Sequence, residues 1–488
     1  MNLADLLQSL PEVKSVNGST DKEIEMICYD SRKAVDRSIY VAIPGMHFDG
    51  HDFIKQAIQN GAVAIVGEND LKMMREDITY IKVENSRRAL ANISSWFYGF
   101  PAKKLDIIGV TGTNGKTTVT YLLKAILDNA GYNTGVVGTI GNIVKDKLLP
   151  AQRTTPESLE LNQLFHQMLN QKVSYVAMEV SSHSLELHRV HGIEFDVGVF
   201  TNLTQDHLDF HETIEDYFEA KKKLFDFSKR AVINADDSHG LKLVDALKIP
   251  VTTYGIYGDA DLKAENIKIS VEGVFYDINI KGEVHNVFYP IPGLFSVYNS
   301  LCAICVGSVL NIPIEITINA LKKVKGIPGR FEPIKRGQDF SVIIDYAHTP
   351  DGLENVLKTI KSFCKGRIIT VFGCGGDRDK KKRPLMGKIA SNLSDYTIIT
   401  SDNPRSEDPE EIIAQVENGF DKKNYEKITD RRQAIKKAIY MANKDDVVLI
   451  AGKGHEDYQI LMDETIHFDD REVAIEFLGK RGFNDETH

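Results

Sequence analysis

Cysteine is scarce in this chain, with five in 488 residues, at positions 28, 302, 305, 364 and 374. An odd, scattered set of that size excludes a disulfide framework and points to a reducing compartment. Cys302 and Cys305 form a C-x-x-C, but they lie in the apolar run LCAICVGSVL with no second ligand pair nearby. The pair therefore reads as core packing rather than a metal or redox site. Long apolar runs are missing as well, and none approaches the roughly 20 residues of a membrane helix. The opening MNLADLLQSLPEVK has no basic start, apolar stretch and small-residue cleavage site in order. A cytoplasmic protein without a membrane segment is expected. Positive charge is not in excess either. The net charge of -10 argues against a nucleic-acid partner held through its phosphates. It does not exclude a single phosphate ligand, because a local nest of N–H groups binds one whatever the net charge.

What is present is ordinary globular material, 42% hydrophobic and 26% charged, which is enough for several cores. The length corresponds to about three domains. Residues 1–99 read as a small N-terminal α/β domain, with β-rich runs SIYVAI (38–43) and AVAIVG (62–67) and a helix-like HDFIKQAIQNGA (51–62) between them. Residues 100–328 read as a central domain in which IIGV, GVVGTI, SYVAMEV, VGVFTNL and AVINAD alternate with helical runs, as in a mainly parallel sheet. Within it, VEGVFYDINIKGEVHNVFYPI (271–291) alternates like antiparallel strands. Residues 329–488 form a third, Rossmann-like α/β domain with strands SVIIDY, RIITVFG, YTIITSD and VVLIAG.

Seven of these strands end in polar, chemically capable residues: GTNGKTT, Glu179 with SSH, TNLTQDH, DYAHTPD, GCGGDRD, DNPR and GKGHE. Open α/β sheets bind ligands at the carboxyl ends of their strands, so two binding edges are expected, one per large domain.

TGTNGKTT (111–118) is the most informative segment. Gly112 and Gly115 let the backbone turn tightly against a phosphate. Thr113, Asn114, Thr118 and their neighbours offer N–H groups at the start of a helix. Lys116 reaches the β and γ phosphates, and Thr117 offers its hydroxyl to Mg²⁺. Val110 stands where the full P-loop pattern has its first glycine, yet the strand–turn–helix context supports a nucleotide site. GCGGDRD does not fit a dinucleotide fingerprint. Glu179 ends an apolar strand, where a buried carboxylate needs a partner such as a divalent cation or an ion-paired side chain. His207 and His211 of DHLDFH fit one helix face at i, i+4, or a loop and a cap. The run KKKLF (221–225) alone reads as a solvated basic helix face.

The ordered set TGTNGKTT, MEVSSH, TNLTQDHLDFH, the lysine of YFEAK, PGRFE, DYAHTPD, GCGGDRDKKKRPLMG, DNPR and AGKGHEDYQ resembles the Mur ligases across nearly the whole chain. The resemblance implies an ATP-dependent ligase. A carboxylate of a UDP-N-acetylmuramoyl dipeptide is activated as an acyl phosphate and captured by an amino acid. It implies that Lys116 holds the ATP phosphates and that Thr117, Glu179, His207 and Lys221 bind Mg²⁺, with Lys221 as its carbamate. Asn299, Arg330, Asp345 and His348 match positions near the nucleotide. Ser31, the MHF turn (46–48), Thr154, Thr155, Ser181 and Arg189 match the UDP-dipeptide site. Arg153 and Leu187 depart from the family pattern, where Asn and Gln stand. In the family, DNPR goes with the meso-diaminopimelate-adding type. Asp402, Asn403, Pro404, Arg405, Gly452 and Glu456 would hold the amino acid's distal end, and Arg378 its other carboxylate. A bidentate arginine fork suits a carboxylate, which lysine lacks at that end. A lysine-adding ligase is the alternative within the family, folylpolyglutamate synthase shares its core, and a P-loop regulatory ATPase is the alternative outside it. A monomer is expected.

Overall fold

The computed structural model describes residues 1–11, 13–45, 48–70, 75–207 and 210–484. Two compact units make up the chain. One comprises Met1–Thr111, Tyr132–Gly198 and Ala220–Arg230, and the other Gly112–Gly131, Val199–Glu219 and Ala231–His488.

In the first unit a five-stranded sheet runs in the order Val13–Asn17, Thr79–Val83, Ala62–Gly67, Ser38–Val41, Met26–Cys28. Only its first pair is antiparallel. Side chains alternate across a strand, so each strand feeds two cores. Ile39, Val41, Ala64, Val66, Ile81 and Val83 pack with Leu90 and Ile93 of the helix Ser86–Phe97. Tyr40, Ile65 and Tyr80 point the other way, onto Ile54, Ala57 and Ile58. The expected helix over 51–62 starts as a 3-10 turn, Gly50–Phe53, capped by Asp49, and is α-helical only over Ile54–Gln59. The same unit holds Asp106–Thr111, Tyr175–Glu179 and Thr134–Val137 as parallel neighbours, with Glu179 opposite Val110.

In the second unit Ala231–Asn234 and Val251–Gly255 pair in parallel. Leu262–Ser270 joins them and then turns into an antiparallel meander with Gly273–Ile280 and Glu283–Tyr289, as the alternation predicts. The helix Leu294–Val309 buries apolar residues around its whole circumference. Cys302 and Cys305 lie in it at 0% and 1% exposure, and burial pushes the Cys302 thiol up to about 12. Core packing is thus their role, and all five cysteines are free.

A six-stranded sheet completes this unit, in the order Glu332–Ile334, Ser341–Asp345, Val447–Ala451, Ile368–Phe372, Tyr396–Ile399, Tyr425–Lys427. The first pair is antiparallel and the rest are parallel. Val342, Ile344, Ile369, Val371, Ile398, Val448 and Ile450 share one core with Ile435 and Ile439 of Arg431–Met441 and Phe477 of Asp470–Lys480. Parallel order brings the four segments that follow Asp345, Phe372, Ile399 and Ala451 to one edge. Among the described residues, no helix is long and apolar enough to cross a membrane.

Candidate active site

The phosphate-type loop lies in the second unit, where Gly115 precedes the helix Lys116–Asn129 with a φ of 87°. A Cβ on Gly112 would lie 1.9 Å from the Thr201 hydroxyl, and one on Gly115 would lie 2.5 Å from Asn299 Oδ1. Both glycines are therefore places where other chain presses on the loop. The 201–204 segment shapes it. Thr113 N–H donates to the Asn202 carbonyl (2.9 Å), Asn114 N–H to Asn202 Oδ1 (2.9 Å), and the Thr201 hydroxyl to the Asn114 carbonyl (2.6 Å). Lys116 Nζ curls over the loop and donates to the carbonyls of Gly112 (2.9 Å) and Thr113 (2.8 Å).

Several predicted nucleotide residues gather here. Arg330 donates from Nη2 to Thr117 Oγ1 (3.0 Å) and lies 4.5 Å over the Tyr346 ring. Asp345 accepts from the N–H groups of Phe331 and Ala347, both at 2.7 Å, while burial raises its carboxyl. His348 Nδ1 lies 2.8 Å from the Tyr346 carbonyl, and burial with the nearby Lys382 charge lowers its imidazole to about 4, so it is neutral near pH 7. Asp351 was not picked out by sequence, although it closes the DYAHTPD motif; it accepts from Asn114 Nδ2 at 2.7 Å. Burial opposes ionisation of Asp206, but His207, His348 and Lys382 outweigh it and hold that carboxyl below the ordinary range.

The helix and loop readings of DHLDFH fall partly on residues outside those described. His207 has a φ of 55°, and His211 N–H donates to the His207 carbonyl at 2.9 Å. Leu208 and Asp209 lie outside the described residues, as do Met46 and His47 of the MHF segment. The solvated-face reading of KKKLF fails at Lys221, which is 1% exposed. Thr117 and His207 belong to the second unit, Glu179 and Lys221 to the first. Among the described residues, no group of three or more His, Cys, Asp or Glu side chains is placed to hold a metal.

In the first unit Glu179 is wholly buried at its strand end. Its carboxylate accepts from Thr139 N–H (2.9 Å) and Thr139 Oγ1 (3.0 Å), and its carbonyl accepts from Thr155 Oγ1 (2.9 Å). Thr139 Oγ1 lies 3.0 Å from Thr154 Oγ1, Ser181 N–H donates to Thr155 Oγ1 (3.2 Å), and Arg189 Nη1 donates to the Thr155 carbonyl (3.2 Å). Thr154, Thr155, Ser181 and Arg189 thus form one network with Glu179. Ser31 donates to Gln56 Oε1 and its carbonyl accepts from Asn60, apart from that network. Arg153 donates to Glu157 at 2.6 Å, and Arg87 and Arg189 face the same buried carboxylate. Leu187 caps the helix Ser182–Glu186.

The predicted amino-acid residues converge at the edge of the six-stranded sheet. Asn403, 2% exposed, donates to Glu456 Oε2 (2.8 Å) and accepts from Ile460 N–H (2.9 Å) and Lys453 Nζ (3.3 Å). Burial raises the Glu456 carboxyl, with Lys453 and Asn403 opposing. Gly452, at φ +114°, leaves room for Asp402, whose Oδ2 would lie 2.6 Å from a Cβ there. Arg405 Nη1 donates to the Gly376 carbonyl (2.6 Å) and Arg378 Nη1 to the next carbonyl, Asp377 (2.9 Å). The arrangement offers two guanidinium forks and one carboxylate, which matches an amino acid with two acidic ends.

Comparison with known proteins agrees with this layout. The Mur ligase family catalytic domain matches residues 23–98, the Mur ligase middle domain 110–307, and the Mur ligase glutamate ligase domain 329–454. The UDP-N-acetylmuramoyl-L-alanyl-D-glutamate–2,6-diaminopimelate ligase of Caldanaerobacter subterraneus subsp. tengcongensis is 50% identical, over 98% of this chain and 99% of that protein. The ligase of the same name from Clostridium botulinum is 51% identical, over 98% and 99%. A solved structure of such a ligase superposes with a TM-score of 0.68 at 32% identity, covering 99% of both chains. With three family domains matched in order and relatives of this similarity aligned from end to end, the chain belongs to the Mur ligase family.

Proposed function

We propose that this chain joins meso-diaminopimelate to UDP-N-acetylmuramoyl-L-alanyl-D-glutamate at the expense of ATP, as a cytoplasmic step of peptidoglycan precursor synthesis. Relatives at 50% and 51% identity carry that activity in their names, and the family consists of ATP-dependent amide-forming ligases. The observation that carries the choice of amino acid is the pair of arginines, Arg378 and Arg405, tied to consecutive carbonyls in the same unit as Glu456. Residues 1–99 are assigned to the UDP-sugar, 100–328 to ATP and 329–488 to the amino acid, in a monomer.

The reaction follows from the chemistry of these groups. The D-glutamyl γ-carboxylate attacks the γ-phosphorus of ATP. An O–P bond forms, the bond to the β-phosphate oxygen breaks, and ADP leaves. Lys116 and the N–H groups of Gly112–Thr118 stabilise charge on the phosphoryl oxygens. The amine of diaminopimelate attacks the acyl carbon, phosphate departs with the bonding pair, and the nitrogen loses a proton to give the amide. Arg378 and Arg405 orient the amine by holding the two carboxylates, and Glu456 faces the distal ammonium. Mg²⁺, when bound, supplies further neutralisation of the phosphates. In the second unit Thr117 would offer it an oxygen donor of the kind it prefers. In the first unit Glu179 offers a carboxylate, and addition of CO₂ to the buried Lys221 amine, with loss of a proton, would turn that side chain from a cation into an anion.

The test is ligation with ATP, the UDP-dipeptide and each amino acid in turn. Turnover is expected to be faster with meso-diaminopimelate than with lysine, and phosphate release to depend on an acceptor amine. Faster turnover with lysine overturns the amino-acid assignment, and acceptor-independent phosphate release favours the regulatory ATPase.

A further inference from the structure

Arg383 is a wholly buried arginine, 0% exposed, that no step of the reaction uses. Its guanidinium meets Glu407 fork to fork, with Nη1 on Oε2 and Nη2 on Oε1, both at 2.9 Å. It also donates to Gln415 Oε1 (2.8 Å) and to the Gly375 carbonyl (3.1 Å). Glu407 in turn accepts the Asp377 N–H at 2.6 Å. The pair therefore bridges the loop after Phe372, which carries Arg378, and the loop after Ile399, which carries Arg405. Further stitches run beside it. Ser406 Oγ donates to Asp377 Oδ1 (2.6 Å) and Gly376 N–H to the Asn403 carbonyl (2.9 Å). The loops touch backbone to backbone, since a Cβ on Gly376 would lie 1.9 Å from the Pro404 carbonyl oxygen. Asp377 and Arg405 both sit at a φ of 53°, a left-handed conformation that is uncommon for a residue such as arginine.

We infer that Arg383 and Glu407 are positioning residues for the amino-acid substrate: their ion pair fixes the spacing of the two arginines that hold its carboxylates. Apolar contacts would glue two loops together as firmly, because a buried ion pair gains little over well-packed apolar groups. A fork-on-fork pair adds direction, and direction is what a substrate with two carboxylates at a set distance demands. The inference rests on Arg378 and Arg405 binding carboxylates, as proposed above.

The full chain is tested as Glu407→Gln and as Arg383→Lys, with each substrate varied in steady state. Glu407→Gln is expected to raise the KM for meso-diaminopimelate about tenfold or more, because small misplacement of binding groups is costly. The KM values for ATP and the UDP-dipeptide should stay within about twofold, and the preference for meso-diaminopimelate over lysine should shrink. Arg383→Lys keeps the charge without the fork and should show the same pattern. Should either variant fold poorly by thermal unfolding, Ser406→Ala removes only one stitch and should raise the same KM alone, by less. Unchanged KM values, or all three rising together, overturn the positioning role. If the unaltered chain itself prefers lysine, the choice of substrate fails instead, and the clamp is then judged on the KM for lysine, held through Arg378.

Discussion

At the scale of the residue, what sequence conveyed was chemistry, and what it withheld was environment. Gly112 was legible as the glycine of a tight strand-to-helix turn, but not its closeness to Thr201. That closeness makes a strong prediction. Gly112→Ala places a methyl 1.9 Å from the Thr201 hydroxyl at a φ of +145°, where an L side chain is strained in any case. The variant should lose turnover by about a hundredfold, in line with what misplacing a reacting group by about an ångström costs. Initial rates of ADP formation measure it directly. Lys221 shows the opposite failing. In a run of three lysines nothing in the letters separates the one at 1% exposure from its half-buried neighbours, because burial is decided by helix phase against a distant core. At His207 the spacing gave no hint of the local backbone, where Asp206 accepts the His207 N–H and the chain turns left-handed.

At the scale of the element, strands were read well because their signal is local. SVIID, IITVF and VVLIA are continuous apolar runs, as parallel strands covered on both faces require. The polar segments that follow them were placed correctly at one sheet edge for the same reason. Contacts between those segments were not legible, since Arg383 and Glu407 are 24 residues apart and look like surface charges in KKKRPLMG and RSEDPEE. Their pairing has a consequence for acid stability. The hydrogen bonds from Arg383 depress the Glu407 carboxyl from 4.5 to about 2. A depressed carboxylate stabilises the folded chain fully above its ordinary range and loses that contribution as pH falls through the depressed value. Urea unfolding of the native chain and of Glu407→Gln should therefore differ most at neutral pH. The gap should close as pH drops from about 4.5 toward about 2.

At the scale of the whole molecule, three consecutive family segments are matched, while each compact unit gathers pieces from several parts of the chain. Such interleaving is invisible to a reading that moves along the sequence, because crossover connections return the chain to places it has already visited. The folded chain as a whole should respond to its nucleotide. ATP at about a hundred times its dissociation constant should stabilise the native state by about 2.7 kcal/mol, which a concentration-dependent rise in Tm would report. Lys116, proposed above to hold the phosphates, already donates to two carbonyls of its own loop. An anion that enters the loop must therefore compete with those carbonyls for the ammonium N–H groups. A ligand with further contacts to the surrounding N–H groups competes for that lysine better than a lone anion does.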